Sequence, residues 1–286
     1  MLKKKTRLGT EKIREFLKED IGHGDITSSS LIEADQGAKA RLFYREAGVA
    51  AGLEEAAMVF EVLGCDVVTS ASDGESVTPG DTLMEIEGPA RAILSGERTA
   101  LNIVGRMAGI TTAVAEAQRI ASEASPSVRV AATRKTLPGL RELDKKAVSL
   151  GGGDTHRLRL DDCVLIKDNH LELVPSITDA VGRARERVSF TKKIEVEVRT
   201  LAEAAEAVEA GADIVMFDNM SPGEIRICLD ALKERGLHEG RLFEASGGIT
   251  PENLFEYAGS GVDIVSMGSL THSVRSLNVK LEIEMV

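Results

Sequence analysis

KKIEVEVRTLAEAAEAVEAGADIVMFDN, residues 192–219, reads as strand, helix, strand. KKIEVEV alternates apolar and charged residues, LAEAAEAVEA (201–210) repeats apolar residues at helical spacing, and DIVMF is a short apolar run. A strand that reaches the next strand through a helix calls for parallel pairing. VRVAA (128–132), CVLI (163–166), RLFEAS (241–246) and DIVSM (263–267) supply four more strands of the same kind. Helices are predicted over 222–235 and 251–258, where Pro222 and Pro251 each follow Ser or Thr in the usual order of cap and first helical residue. The connections are short, and Gly-x-Asp-Ile-Val occurs twice, at Gly211–Val215 and Gly261–Val265. Both features favour a closed or nearly closed α/β barrel over an open sheet. Six strands can be counted, fewer than in a full TIM barrel.

The first hundred residues have a different texture. Residues 11–19 predict a short helix, AKARLFYREAGVAAG (38–52) begins as a strand, and 53–63 is helical by its apolar spacing. Cys65 to Ser70 and Thr82 to Ile86 read as strands joined by the turn-rich DGESVTPGD. This is a small α+β domain. A long helix follows from about Ile93 to Ser122, with Leu101, Val104, Met107 and Ala108 as its buried stripe. Gly105 and Gly109 within it permit a close helix contact at some cost in helix propensity. The final SLNVKLEIEMV alternates apolar and polar residues, as an edge strand returning to the first domain would. The expected division is 1–106, completed by 273–286, and 107–272.

The chain has 286 residues and 35 Lys and Arg against 46 Asp and Glu, a net charge of -11. Acidity on this scale, with 3% aromatic residues and no Trp, argues against a nucleic-acid surface. Cys65, Cys163 and Cys228 are isolated, which suggests neither a disulfide framework nor a zinc site. The basic start MLKKKTRLGTEK lacks the apolar run of a signal peptide, and no stretch is long enough to span a membrane, so a cytoplasmic location is expected. Against this background, Thr133 to His170 gathers Arg134, Lys135, Lys145, Lys146, His156, Arg157, Arg159 and Lys167 around Gly151-Gly152-Gly153. A cationic, glycine-punctuated segment in an acidic chain points to a small anionic substrate.

Polar residues collect where the strands end. Arg134 and Lys135 follow VRVAAT, Lys167 and Asp168 follow CVLI, and Asp218 and Asn219 follow DIVMF. Ser246-Gly247-Gly248 follows RLFEA, and Gly268-Ser269 follows DIVSM. In a parallel barrel these groups converge on the carboxyl rim, where active sites form. Glu195 and Glu197 share one face of their strand, a costly arrangement unless they are paired, hydrated or bound to metal; Lys135 or Lys167 is a candidate partner, with Asp218 able to join. The two glycine turns let backbone N–H groups approach an anion, helped by the positive end of a helix near Pro251. His156 can hydrogen-bond a carboxylate or a pyrophosphate oxygen, and Arg157 offers a bidentate fork.

The runs TRKTLPGLR (133–141), GGG-x-x-His-Arg (151–157), LIKDNH (165–170), Glu195-Val196-Glu197, Phe217-Asp218-Asn219, SGGI (246–249) and GSLTH (268–272) resemble quinolinate phosphoribosyltransferases. EDIGHGDIT (19–27) and ERTALN (97–102) resemble them as well, so the likeness spans nearly the whole chain in order. It implies an α/β sandwich domain packed on an incomplete TIM-like barrel of six to seven strands. It also implies the carboxylating reaction of quinolinate with phosphoribosyl pyrophosphate, which gives nicotinate mononucleotide for NAD synthesis with Mg2+ accompanying the pyrophosphate. By the same resemblance Arg134, Lys135, His156, Arg157 and Lys167, beside Thr133, serve the dicarboxylate and pyrophosphate. Arg98 reaches a neighbouring subunit's site in a homodimer, or in a hexamer built from such dimers. Glu197 and Asp218 hold ribose hydroxyls directly or through Mg2+, with no dedicated protein metal site. Ser246, Gly247, Gly248, Gly268 and His272 cradle the 5'-phosphate, and Lys135, Glu197 and Asp218 are the expected catalytic residues. Thr155 and Asn278 depart from the family's usual Asn and acidic residue. A molybdate-transport-associated relative and a nicotinate enzyme are the alternatives. Residues 73–88 resemble a biotinyl or lipoyl turn but contain no lysine for attachment, so they are read as shared hairpin geometry.

Overall fold

The computed structural model describes residues 9–285 and divides into two units. The basic opening residues 1–8 lie outside the described residues. In the first unit, α1 (Thr10–Ile21) and α2 (Ile26–Leu31) precede β1 (Gly37–Tyr44), β2 (Gly48–Val49) and α3 (Leu53–Val62). β3 (Asp66–Thr69), β4 (Ser76–Val77), β5 (Thr82–Pro89) and the long α4 (Ala90–Ala124) follow. The second unit begins within α4, at Glu116, and contains β6 (Arg129–Ala132). The chain then rejoins the first unit over 137–152, as α5 (Arg141–Leu150), before the second unit resumes at Gly153.

The expected boundary at 106/107 did not anticipate this return, and the cause is ionic as well as apolar. Arg106 donates from Nε and Nη2 to both oxygens of the fully buried Asp144, each at 2.8 Å. Thr111 Oγ1 donates to the Ala147 carbonyl at 3.0 Å. Lys146 Nζ lies 2.8 Å from Glu54, 2.8 Å from Glu55 and 3.2 Å from Asp73. Burial disfavours the Lys146 charge, yet hydrogen bonds to Glu54 and Glu55 raise its pKa above the ordinary lysine range. Lys146 is therefore spoken for inside the first unit, and the cationic segment read from the sequence does not face one pocket as a whole. Gly151, too, is a packing residue rather than a hinge, because an added Cβ would sit 2.5 Å from the Thr111 carbonyl oxygen.

The four-stranded sheet of the first unit has the order β12-β1-β5-β3, with β12 (Val279–Met285) antiparallel to β1 at the edge, where the alternation of its sequence placed it. β4 pairs with β2 rather than with β5, so 73–88 links two sheets and is not a simple hairpin. Asn278 works through its backbone, its amide donating to Glu46 at 2.6 Å and its carbonyl accepting from Arg45. The glycines of α4 do allow a close approach, but to the C-terminal segment rather than to a helix. Leu277 N donates to the Gly105 carbonyl at 2.9 Å, and a Cβ on Gly109 would lie 2.2 Å from the Arg275 carbonyl oxygen. Ala at 109 gains about 1 kcal/mol in helix propensity. Backbone overpacking costs up to about 3 kcal/mol or more. Gly109→Ala should thus lower stability by about 2 kcal/mol in urea unfolding, and unchanged stability would contradict the contact.

The second unit continues with β7 (Val164–Ile166), α6 (Asp168–Leu171), α7 (Ile177–Arg187), β8 (Ile194–Val198), α8 (Leu201–Glu209) and β9 (Ile214–Asp218). α9 (Pro222–Glu234), β10 (Leu242–Ser246), α10 (Leu254–Ala258), β11 (Ile264–Met267) and α11 (Ser269–His272) complete it. All six predicted strands are present and parallel, in the order β6-β11-β10-β9-β8-β7. The order winds one way and brings the last strand beside the first, as a barrel requires and an open doubly wound sheet does not. On the free side of β6, Asp154 forms a parallel bridge to Ala131, which supplies a one-residue seventh position. The fold is the expected incomplete TIM-like α/β barrel.

The repeated motif has one job in both places. Gly211 and Gly261 turn the chain at φ +95° and +103°, in the left-handed region. The next aspartate then caps a neighbouring strand: Asp213 accepts from Ile194 N at 2.7 Å, and Asp263 from Phe243 N at 2.8 Å. α9 begins with a Ser221–Glu224 capping box and Pro222 at its first turn. Pro251 does not play that part. Residues 251–253 form a turn and α10 starts at Leu254, because Asn253 folds back to accept from Thr250 N at 2.8 Å and to donate to the Gly248 carbonyl at 3.1 Å.

Candidate active site

Parallel strands bring their carboxyl ends to one rim, so Thr133 to Lys135, Lys167, Arg199, Asp218, Ser246 and Gly268 all leave the barrel on the same side. Lys167 Nζ donates to Glu197 Oε2 at 2.7 Å, which settles the partner expected for one of the β8 glutamates. Asp218 is bound instead by Arg199, a residue the sequence reading did not single out. Arg199 Nη2 lies 3.2 Å from Asp218 and 3.0 Å from Asp168. Hydrogen bonds to Asp218, then to Asp168, raise the Arg199 pKa. Asp168 is held below the usual carboxylate range first by the Asn169 amide and then by Arg199.

The two glycine turns are built differently from each other. Asn219, at φ +55°, donates its side-chain amide to Asp218 Oδ1 at 2.9 Å and its backbone amide to the Ser246 carbonyl at 2.9 Å. A Cβ on Gly247, itself at φ +93°, would stand 2.4 Å from Asn219 Oδ1, so the Asp218–Asn219 turn and the Ser246–Gly248 turn interlock only with glycine at 247. The five-residue α10 begins beyond this turn, which removes the helix end expected to assist there. At the second turn, a Cβ on Gly268 would lie 3.0 Å from Lys135 Cδ and 3.1 Å from His272 Cδ2. Thr271 Oγ1 donates to the Lys135 carbonyl at 2.8 Å, and Lys135 N donates to Thr133 Oγ1 at 3.1 Å. Lys135, Gly268 and His272 therefore stand together. Arg134 is half-buried beside them in sequence, and Arg98 is exposed on α4 in the first unit.

Inside the barrel, Glu195 on β8 and Glu244 on β10 are both fully buried. His156 Nε2 lies 3.5 Å from Glu195 Oε1 and 3.3 Å from Glu244 Oε2. His156 has thus found its carboxylates within the chain. Glu244 was missed because it stands alone between Phe243 and Ala245, although a lone carboxylate in an apolar strand is the same signal as Glu195. Burial pushes Glu195 up, and burial with the Glu195 charge pushes the nearby Cys163 thiol up to about 11. Burial disfavours a charged His156 and hydrogen bonding to Glu195 and Glu244 favours one, with a net upward direction. The Arg157 amide opposes a second ring proton, since it donates to His156 Nδ1 at 2.7 Å. Arg157 is buried, with Nη1 donating to the Cys163 carbonyl at 3.4 Å. One ligand atom from each of His156, Glu195 and Glu244 falls within 4.8 Å of the others, a set that could hold a metal ion.

Residues 25–108 match the family model of the quinolinate phosphoribosyl transferase N-terminal domain, and 110–282 match that of the C-terminal domain. A probable carboxylating nicotinate-nucleotide pyrophosphorylase of Methanothermobacter thermautotrophicus is 46% identical over 271 residues, covering 95% of this chain and 97% of that protein. The human carboxylating nicotinate-nucleotide pyrophosphorylase is 36% identical, over 95% of this chain and 90% of its own. The crystal structure of NadC from Streptococcus pyogenes superposes with a TM-score of 0.91 at 35% identity, covering 98% of this chain and 99% of that one.

Proposed function

The chain belongs to the quinolinate phosphoribosyltransferase family, and from that premise we propose how its rim residues share the work of the reaction. The protein is a carboxylating nicotinate-nucleotide pyrophosphorylase of NAD biosynthesis, which converts quinolinate and phosphoribosyl pyrophosphate to nicotinate mononucleotide, pyrophosphate and carbon dioxide. The quinolinate nitrogen forms a bond to C1 of the ribose as the C1–O bond breaks and pyrophosphate leaves with its electron pair. The 2-carboxylate then departs as carbon dioxide. The electron pair it leaves on C2 is stabilised by the adjacent cationic ring nitrogen until a proton is taken up.

Stabilisation of this course is mostly electrostatic and positional. We assign Arg134, Arg157 and Lys167 to the dicarboxylate, and His156 belongs with them through its hold on the Arg157 amide. Thr133 and Lys135, beside Gly268 and His272, serve the phosphate groups together with Ser246, Gly247 and Gly248. Glu197 and Asp218 take the ribose hydroxyls and face the positive charge developing at C1. The observation that carries this reading is the grouping along one rim: the carboxylates of neighbouring β8 and β9, balanced by Lys167 and Arg199, adjoin the glycine turns that follow neighbouring β10 and β11, the first of which admits only glycine at 247.

Magnesium carried by the pyrophosphate would neutralise the leaving group. Glu197 and Asp218 are the protein groups that fit it, because they offer hard oxygen donors at the rim and the cations that now balance them, Lys167 and Arg199, are exposed. The buried set at His156 includes a nitrogen and suits Mg2+ less well. Arg98, exposed on α4, is assigned to the neighbouring subunit's site in a homodimer. Among the described residues no helix is long and apolar enough to cross a membrane, and Cys65, Cys163 and Cys228 are free thiols; both features support a cytoplasmic location.

The test is incubation with Mg2+, phosphoribosyl pyrophosphate and either quinolinate or nicotinate, with nicotinate mononucleotide and carbon dioxide followed by mass. Product with carbon dioxide is expected from quinolinate alone. Product from nicotinate, or none from quinolinate with folded protein, would move the substrate to another aromatic acid.

A further inference from the structure

Resting on the proposed roles above, we infer that Glu195 and Glu244 are positioning residues, which act through His156 to aim Arg157 at the dicarboxylate substrate. The backbone dictates the state of one ring nitrogen. His156 Nδ1 accepts the Arg157 amide at 2.7 Å, so that nitrogen presents its lone pair and the ring proton sits on Nε2. Nε2–H then faces the two carboxylates, with Glu195 Oε1 3.5 Å and Glu244 Oε2 3.3 Å from Nε2, contacts looser than a well-formed hydrogen bond.

Those acceptors have no competing claim. Glu195 Oε1 and both oxygens of Glu244 are buried and accept no close, well-aligned hydrogen bond in the described structure. Two carboxylates buried on apolar strands are expensive unless paired, which gives the imidazole proton a strong reason to stay between them. His156 is one of two non-glycine residues at positive φ among those described, at +50°, and its own amide is tied to Asp154 Oδ1 at 2.7 Å. A strained backbone position is kept where its surroundings determine it from several sides. Here the backbone amide and Nδ1 are hydrogen-bonded, and Nε2 faces the two carboxylates.

The same geometry decides between a proton and a metal at the cluster. A ring with its proton on Nε2 has no lone pair there for a cation. Moving that proton to Nδ1 would set it against the Arg157 N–H. Both ring nitrogens are thus used inside the protein, so the connection to substrate runs through Arg157, whose buried guanidinium follows in the chain.

The proposal is tested on the whole enzyme by histidine 15N NMR and by kinetics. In wild type, His156, identified by its loss in His156→Gln, should show the proton on Nε2 and an accepting Nδ1. Glu244→Met should raise KM for quinolinate roughly ten- to hundredfold, as expected for a lost hydrogen bond to a charged group, and leave KM for phosphoribosyl pyrophosphate within about twofold. Glu244→Gln keeps an accepting oxygen and should stay within about threefold of wild type. A proton on Nδ1, a stoichiometric metal in the purified protein that is lost on Glu244→Gln, or an equal rise in both KM values would overturn the positioning role. The tautomer of the wild type is read without turnover, so it decides even where Glu244→Met fails to fold. It also separates failure here from failure of the proposed reaction, which the carbon dioxide assay reads alone.

Discussion

Lys167→Ala should cut turnover by at least about 100-fold while leaving the fold in place, on the scale of removing one well-placed electrostatic contact. Structure and energetics pull apart cleanly at this residue. Its side chain is 44% exposed and makes a 2.7 Å ion pair with Glu197, whose own side chain is 9% exposed. A pair with one partly solvated member contributes at most about 1 kcal/mol to stability. In the proposed assignment the same ammonium group, at the end of β7 on the barrel rim, serves the dicarboxylate, where a fixed positive charge would act in a partly dry site. Stability should therefore barely move while the rate collapses. Arg134→Ala is expected to behave in the same way. Thermal unfolding and steady-state rates at saturating substrates check both, and near-normal rates in the two variants would remove this rim from the reaction.

Much of the barrel was legible because its signals are local. Alternating strand and helix patterns located every strand of the parallel sheet, and the twice-used Gly-x-Asp-Ile-Val marked a turn and a strand cap that recur with the fold. The edge position of β12 followed from alternation alone. What escaped was set by tertiary partners. Nothing near Lys146 in sequence announces Glu54, Glu55 and Asp73, so sequence pattern alone groups α5 with the barrel segment, whereas its ion pairs hold it to the first unit. Arg199 looked like one more charge after a strand, and only the fold shows it joining Asp168 to Asp218. Pro251 carried a helix-start signal that the Asn253 side chain overrode. The charged rim was visible from strand ends, whereas the layer beneath it, Glu244 with His156, needed two distant strands to be placed side by side.

Arg98→Ala and Lys135→Ala should each abolish most activity alone, by about 100-fold or more, yet recover some of it when the two variants share a dimer. The expectation follows from where the residues sit. Lys135 stands at the barrel rim between Thr133, Gly268 and His272, while Arg98 is exposed on α4 of the first unit. If each site draws Arg98 from one subunit and Lys135 from the other, a mixed dimer holds one site with both residues intact and one with neither. A twofold interface makes this segregation complete, and random exchange then restores about a quarter of the wild-type sites. Were both residues supplied by the same subunit, every site in the mixed dimer would carry exactly one lesion and no activity could return. Refolding the two variants together, isolating the mixed dimers by distinct tags and measuring nicotinate mononucleotide formation distinguishes these arrangements. Recovery near half of the wild-type activity in the isolated mixed dimers assigns Arg98 to its neighbour's reaction, and its absence there returns Arg98 to its own chain.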